Sequence, residues 1–411
     1  MTEILHIEKL IHRGLGLGRR ANGQAVFVPF SAPGEDVRVR VRTEHKSYAE
    51  ADLLDVLRPS PDRRTPPCPY FGRCGGCQLM HLTYPCQTLW KARIAEEIWP
   101  KGPPVESGSR HGQEFEYRHR VRLQVAPDLS GIGFTQLNTN IIVMIRDCLI
   151  CAPPIRRILP HIQDELLPTL RAAGVRPHQI TIVIVDNAPL VWLHTRPPVR
   201  PIDQHTVQHQ APYAVGFDSH PESMPPGDLD FGGLQLTISP DVFFQAFPAA
   251  AAEVGRHPVT HLSADTRLLE LYSGIGLFSV LFAQKVRSVH AVEGDAAAGR
   301  LFPLNQRRHA AANLTFNNES VERWLAENEA GSDFDAVFLD PPRTGLSPAV
   351  RDRIGQSHLD PILYLSCEIA TQRRDVRSWL APGRRLSALV VFDFFPNTFH
   401  IECLARIERH A

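Results

Sequence analysis

The 411 residues are 43% apolar, enough to fill several hydrophobic cores, and a chain of this length makes about two to four domains. Forty-four basic residues, 39 of them arginine, balance 44 acidic ones, which argues against a uniformly basic nucleic-acid binder. There is no run of about 18 apolar residues and no charged-then-apolar leader, so the expectation is a cytoplasmic protein with no membrane contact.

From Leu5 to Val56 short strands alternate with turns marked by Gly14, Gly16, Gly18 and Pro33-Gly34. The run Val37-Arg38-Val39-Arg40-Val41-Arg42 alternates strictly, so one face is buried valine and the other exposed arginine. Five such strands predict a small barrel of the oligonucleotide-binding type over residues 1–60, its arginines facing RNA or solvent. A proline-rich linker (59–67) leads to CPYFGRCGGC, which holds Cys68, Cys74 and Cys77. Disulfides are improbable without an export signal. A zinc site usually has two CxxC-like pairs, whereas three close cysteines awaiting one distant partner resemble iron–sulfur ligation. The distant partner is Cys148 in RDCLIC, with Cys151 as competitor, and Cys86 reads as a small buried residue beside a helix over 87–99.

Between residues 115 and 240 strand patterns dominate, with one helix predicted in RRILPHIQDELLPTLRAAG. YRHRVRL places Arg118, Arg120 and Arg122 on one strand face, a second surface open to RNA. A proline- and histidine-rich tract at 196–227 reads as an irregular connection. From Thr266 strands alternate with helices, as a doubly wound domain requires.

In LLELYSGIGLFSV a buried strand runs into a glycine turn and then a helix. Gly274 and Gly276 let the backbone approach a ligand, and Glu293 at the end of the next strand can accept the ribose hydroxyls of an adenosine cofactor. Asp340 leaves a third strand before Pro341-Pro342, which stiffen a loop suited to recognising a planar base. Cys367 follows ILYLS at a strand's carboxyl end. A thiolate there would explain alkylation of an unactivated pyrimidine carbon: sulfur adds at C6 of a uracil, C5 becomes an enolate carbon and takes a methyl group, and a base removes the C5 proton. Glu402 in HIEC is the candidate base, with His400 the second candidate. Phe244 and Tyr272 are candidate stacking faces.

With FFQAF, LELYSGIG, VEGD, LDPPRTG, LSCE and FHIE in this order behind the cysteine loop, the chain resembles the TRAM-domain, iron–sulfur family of RNA uracil-C5 methyltransferases, which make 5-methyluridine in 23S rRNA and in tRNA. The resemblance covers nearly the whole chain. It implies an α/β fold: a TRAM barrel (1–60), a β-rich central domain with the cluster loop (61–239), and a Rossmann-like class I methyltransferase domain (240–411). Helix 87–99 would lean onto that last domain. It further implies S-adenosylmethionine contacts at Gln245, Tyr272, Glu293 and Asp340, Cys367 as nucleophile, and Glu402 as proton acceptor. Cys68, Cys74, Cys77 and Cys148 would hold a [4Fe–4S] cluster. The substrate would be RNA, 23S rRNA ahead of tRNA, for a monomer with no protein partner. Three residues depart from the family pattern. Glu368 stands where Asn often follows the cysteine, and its charge is expected to raise the thiol pKa; Leu277 and Phe247 also replace usual asparagines. Methylation elsewhere on a base, or RNA binding without catalysis, are the alternative functions.

Overall fold

A computed structural model describes residues 2–410 except 109–111, 197, 201–204, 206, 209–210, 220–223, 225, 329–332 and 381–382. Much of the tract at 196–227 therefore lies outside the described residues. Strands β1 (Thr2–Ile11), β2 (Leu15–Arg19), β3 (Ala25–Val28), β4 (Asp36–Glu44) and β5 (Tyr48–Arg58) close into a barrel in the order β1-β2-β3-β5-β4. Val37 and Val39 of β4 point inward onto Leu5, Ile7, Val26 and Ala51. The outward arginines are not left open. Arg38 pairs with Asp55 at 3.0 Å, Arg40 with Asp52 at 3.7 Å and Arg42 with Glu50 at 2.9 Å, all across the β4–β5 ladder.

After β6 (Val105–Ser107), a six-stranded sheet has the order β12-β11-β10-β7-β8-β9. Its strands are β7 (Arg120–Val125), β8 (Ile132–Thr135), β9 (Ile142–Met144), β10 (Pro177–Val185), β11 (Ala188–Thr195) and β12 (Ala214–Phe217). The single helix expected here is divided: Pro153–His161 and Leu167–Ala172 flank a wide π turn at Ile162–Leu166. Pro160 and Pro168 bracket that turn and lack the N–H groups a regular ladder needs. The expected arginine face also breaks up. Arg122 is exposed, but Arg120 is turned inward over the Phe244 ring at 5.6 Å and donates to the Pro240 carbonyl at 3.2 Å.

A short hairpin, β13 (Gly227–Asp230) with β14 (Gln235–Ile238), precedes the last domain. There β15 (Arg267–Leu271), β16 (Ser288–Glu293), β17 (Leu314–Asn318), β18 (Ala336–Leu339), β19 (Ile362–Ser366), β20 (Arg384–Phe392) and β21 (Glu402–Arg409) form one sheet with β6. Its order is β17-β16-β15-β18-β19-β21-β20-β6; β15 to β19 run parallel and β21 is antiparallel to both neighbours. Alternate residues serve opposite layers: Leu268, Ala291 and Phe338 pack on one face, Leu269, Val292 and Leu339 on the other. Strand order reverses between β15 and β18, so a crevice opens beyond their carboxyl ends.

The helix Tyr84–Ile98 begins three residues before the expected 87 and buries Cys86, Trp90 and Ile94 in the layer containing Leu269 and Tyr364. Pro85 in the first turn fits a helix start, where its missing N–H has no partner to lose. Residues 84–107 thus join the last domain's sheet and its packing layer although they precede the central sheet in sequence. Among the described residues no helix is long and apolar enough to cross a membrane.

Candidate active site

The β15 loop is held in an unusual backbone form. Tyr272, Gly274 and Gly276 all have positive φ, at 64°, 56° and 89°. A bulky residue rarely adopts that region, and it persists only where surrounding bonds enforce it. Here the Tyr272 and Ser273 N–H groups donate to the Val292 carbonyl at 3.0 and 3.2 Å. Gly274 N–H donates to Glu293 Oε2 at 2.8 Å, and Asp295 N–H to Oε1 at 2.7 Å. Glu293 therefore ties the glycine loop to the end of β16 and keeps acceptor capacity for a ligand. Nothing lies within 4 Å of a Cβ built on Gly274, so the cradle is open above it. The Tyr272 ring packs against the apolar layer.

The Gln245 side chain lies beside Asp340 in the crevice and favours its charged form. The Asp340 carboxylate is enclosed, and burial pushes its pKa up to about 7, with Glu293 adding like-charge repulsion. A third acid was not assigned from sequence. Glu270, wholly buried on β15, accepts from Ser279 Oγ at 2.5 Å, and desolvation lifts its pKa to about 8. Its other oxygen has no hydrogen-bond partner among the described residues. The signal was present: an acid inside the continuous apolar run of a parallel strand has no solvent face to occupy.

The Pro-Pro loop is stiffened from outside as well as by its prolines. Gly345 N–H closes a turn on the Pro342 carbonyl at 2.8 Å, Leu346 N–H donates to Asp375 at 2.9 Å, and Thr371 Oγ1 donates to the Arg343 carbonyl at 3.2 Å. This fixes Arg343, the second residue that sequence reasoning left unassigned. Its guanidinium acts as an opposite charge on both the Cys367 thiol and Glu402.

Cys367 is half-buried at the end of β19. The β19–β21 register pairs Ser366 with Cys403, so the next step of the ladder sets Cys367 against Glu402. Burial first, then the Glu402 charge, push the thiol up to about 12, while Arg343 opposes the shift. Glu402 is buried, and neither carboxylate oxygen has a hydrogen-bond partner among the described residues. Desolvation and Asp340 hold its pKa well above the usual carboxylate range. His400 goes the other way: burial and neighbouring cations lower it to about 3. It is a neutral imidazole lying against Phe399, with ring centroids 4.3 Å apart. Glu368 does not carry the expected effect on the thiol. It faces His12 of the barrel at 3.4 Å, and the thiol shift comes from burial and Glu402.

Phe244 is buried in the core, so it offers no stacking face; its neighbour Phe243 is 69% exposed. Phe247 stacks on buried Tyr117, with centroids 4.9 Å apart, and Leu277 is buried at the start of the helix Leu277–Ala283. Cys68, Cys74, Cys77 and Cys148 line one pocket with Tyr70, Phe134 and Arg118. Gly76 N–H donates to Cys74 Sγ at 3.4 Å. Cys151 is fully buried outside that lining, and its N–H donates to the Cys148 carbonyl at 2.9 Å. Among the described residues no three His, Cys, Asp or Glu side chains converge to hold a single ion.

A parallel sheet with a reversal crevice, a glycine cradle and a strand-end acid beyond it defines a class I methyltransferase fold. Residues 257–410 match the family model described as tRNA (uracil-5-)-methyltransferase, and residues 5–61 match the TRAM domain of tRNA (uracil(54)-C(5))-methyltransferase. The 23S rRNA (uracil(1939)-C(5))-methyltransferase of Pectobacterium atrosepticum is 30% identical over 95% of this chain and 90% of its own length. The enzyme of the same name from Cronobacter sakazakii is 31% identical over 96% and 94%. In structure, the Pyrococcus abyssi tRNA (uracil-54, C5)-methyltransferase, solved with S-adenosyl-L-homocysteine, aligns with a TM-score of 0.76 at 23% identity, covering 98% of this chain and 99% of that one. The chain belongs to the RNA uracil-C5 methyltransferase family and is an S-adenosylmethionine-dependent enzyme of that activity.

Proposed function

We propose that the protein methylates C5 of a uridine in 23S rRNA through a covalent bond between Cys367 and C6 of the ring. The observation that carries this reading is the meeting of Cys367, Glu402, Arg343 and Asp340 at one mouth beyond β18 and β19. Full-length similarity to 23S rRNA methyltransferases favours that RNA over tRNA.

The cradle around Gly274 and Glu293, with Gln245 and Asp340 opposite and Tyr272 beside it, fits S-adenosylmethionine. Bound there, that molecule supplies an electrophilic methyl group. A buried thiol with a raised pKa is a poor nucleophile until a cation compensates its charge, and Arg343 is that cation. The Cys367 thiolate adds to C6 of a uracil turned out of its stack. The ring electrons move to the C4 oxygen, and C5 becomes nucleophilic. After C5 is methylated, the Glu402 carboxylate takes the C5 proton, the C5–C6 double bond re-forms, and sulfur leaves as thiolate. A carboxylate with a raised pKa is a stronger base than an exposed one, which suits this step. Neutral His400, with its depressed pKa, is the weaker candidate.

The pocket of Cys68, Cys74, Cys77 and Cys148 fits a [4Fe–4S] cluster. Four thiols line one space without converging on a point, which suits a polynuclear group better than one zinc ion. Methyl transfer needs no electron from it, so its place here is structural.

RNA carrying 5-fluorouridine tests the reaction, because fluorine replaces the C5 proton whose removal would release the sulfur. The wild-type enzyme should form a complex with this RNA that survives denaturing electrophoresis, and Cys367→Ser should form none. Methyl transfer to uridine by Cys367→Ser would overturn the covalent route. Offering 23S rRNA and tRNA transcripts in parallel decides between the substrates.

A further inference from the structure

The connection from β20 to β21, residues 393–401, has no regular secondary structure, yet it delivers Glu402 to the crevice. Asn397 sits at its centre, fully buried, with φ 67°. Asparagine tolerates that left-handed conformation better than other residues with side chains. All its polar groups are engaged, and every partner lies between residues 64 and 114. Its carbonyl accepts the N–H groups of Gln78 at 3.0 Å and Leu79 at 2.9 Å. Its own N–H donates to Gln87 Oε1 at 2.8 Å, and its Oδ1 accepts from Gln87 Nε2 at 3.1 Å and Arg64 Nη2 at 3.2 Å. Its Nδ2 donates to the Glu114 carbonyl at 2.8 Å.

The stretch of loop before Asn397 is gripped as well. Lys91 Nζ, buried on the helix Tyr84–Ile98, donates to Asp393 at 2.7 Å and to the Phe395 carbonyl at 2.9 Å. Tyr117 OH donates to the Pro396 carbonyl at 2.9 Å. Among the described residues the Glu402 carboxylate has no hydrogen-bond partner to fix it. Glu402 is the first residue of β21, so the ladder fixes its backbone on one side and the 393–401 loop leads directly into it on the other. The loop in turn follows the chain around Cys77.

We propose that Asn397 is a positioning residue for the base: it locks the 393–401 loop onto the segment that carries the cysteine pocket, and so holds Glu402 at the C5 proton. This rests on the covalent reading with Glu402 as base. Gln78 and Leu79 directly follow Cys77 in sequence, so the cysteine pocket reaches the chemistry through Asn397 rather than through the RNA alone.

The full-length enzyme tests it with Asn397→Gly, which keeps the left-handed backbone unstrained, and Gln87→Ala, which removes the partner from the other side. Two rates are read: turnover on uridine RNA, and formation of the adduct with 5-fluorouridine RNA, which needs no proton removal. Displacing a base by about 1 Å costs about 10²-fold, so both variants should lose turnover on that scale. KM for RNA should stay within about threefold, and the 5-fluorouridine adduct should form at the wild-type rate. On uridine RNA they should accumulate covalent complex, as Glu402→Gln should. If Glu402→Gln accumulates adduct and neither variant does, or if both rates fall together, the positioning role is overturned. If Glu402→Gln itself accumulates none, the covalent reading fails instead.

Discussion

The barrel and the catalytic crevice carry charge in opposite ways. On β4 each exposed arginine has a carboxylate across the ladder, and such surface pairs contribute about 0–1 kcal/mol apiece. In the crevice Glu270, Asp340 and Glu402 are enclosed with raised pKa values, and Arg343 is the cation that acts on Cys367 and Glu402. Burying a carboxylate without partners costs stability, so such a group marks a place where the fold gives way to chemistry. A cation whose partner comes from its own ladder keeps a surface soluble; an enclosed acid with oxygens left unpaired among the described residues, as at Glu270 and Glu402, waits for a ligand.

The largest effect should come from Glu402→Gln. Turnover on uridine RNA should fall about 10²- to 10⁴-fold, the scale of a lost general base, as measured by methyl incorporation. The same change should stabilise the fold. A carboxyl whose folded pKa lies above its unfolded value costs stability as pH rises above the unfolded value. The variant should therefore melt a few degrees higher than wild type at pH 8, with the gap closing near pH 4. An unchanged or lower Tm at pH 8 would mean that Glu402 has partners in solution.

Arg343→Met should come next. Without this cation both Cys367 and Glu402 titrate higher, and both act deprotonated. The rising limb of the kcat/KM profile should therefore move to higher pH, with about a tenfold loss at neutral pH for each unit of displacement. A uniform loss with an unmoved limb would assign Arg343 to RNA binding alone.

The smallest effects belong to the barrel. Arg38→Gln, Arg40→Gln and Arg42→Gln should each change RNA affinity by less than about threefold and stability by less than about 1 kcal/mol. A tenfold loss of affinity, with a shallower salt dependence, would show that these arginines exchange their carboxylates for phosphates on binding.

The strand–glycine–helix unit at Leu268–Ala283, the acid ending β16 and the Pro-Pro loop were legible in the sequence, because hydrophobic period and turn chemistry are local properties. So were the barrel and the cysteine set, whose spacing is itself the signal. Helix starts were less legible: Tyr84–Ile98 begins before its apolar pattern, at a proline. A helix through Pro160 and Pro168 was expected whole because the apolar pattern continued where the hydrogen-bond ladder could not.

What the sequence determined by itself was therefore the kind of most elements and a set of candidate residues for the chemistry. Only the tertiary structure decided who stands beside whom: Arg343 against Cys367, Glu368 turned to His12, each β4 arginine matched to a β5 acid, and Asn397 clasped by residues some 300 positions upstream. The reason is physical. Burial leaves a periodic mark on neighbouring residues, whereas the field at a buried thiol or carboxylate is set by side chains that meet only once distant strands lie in register.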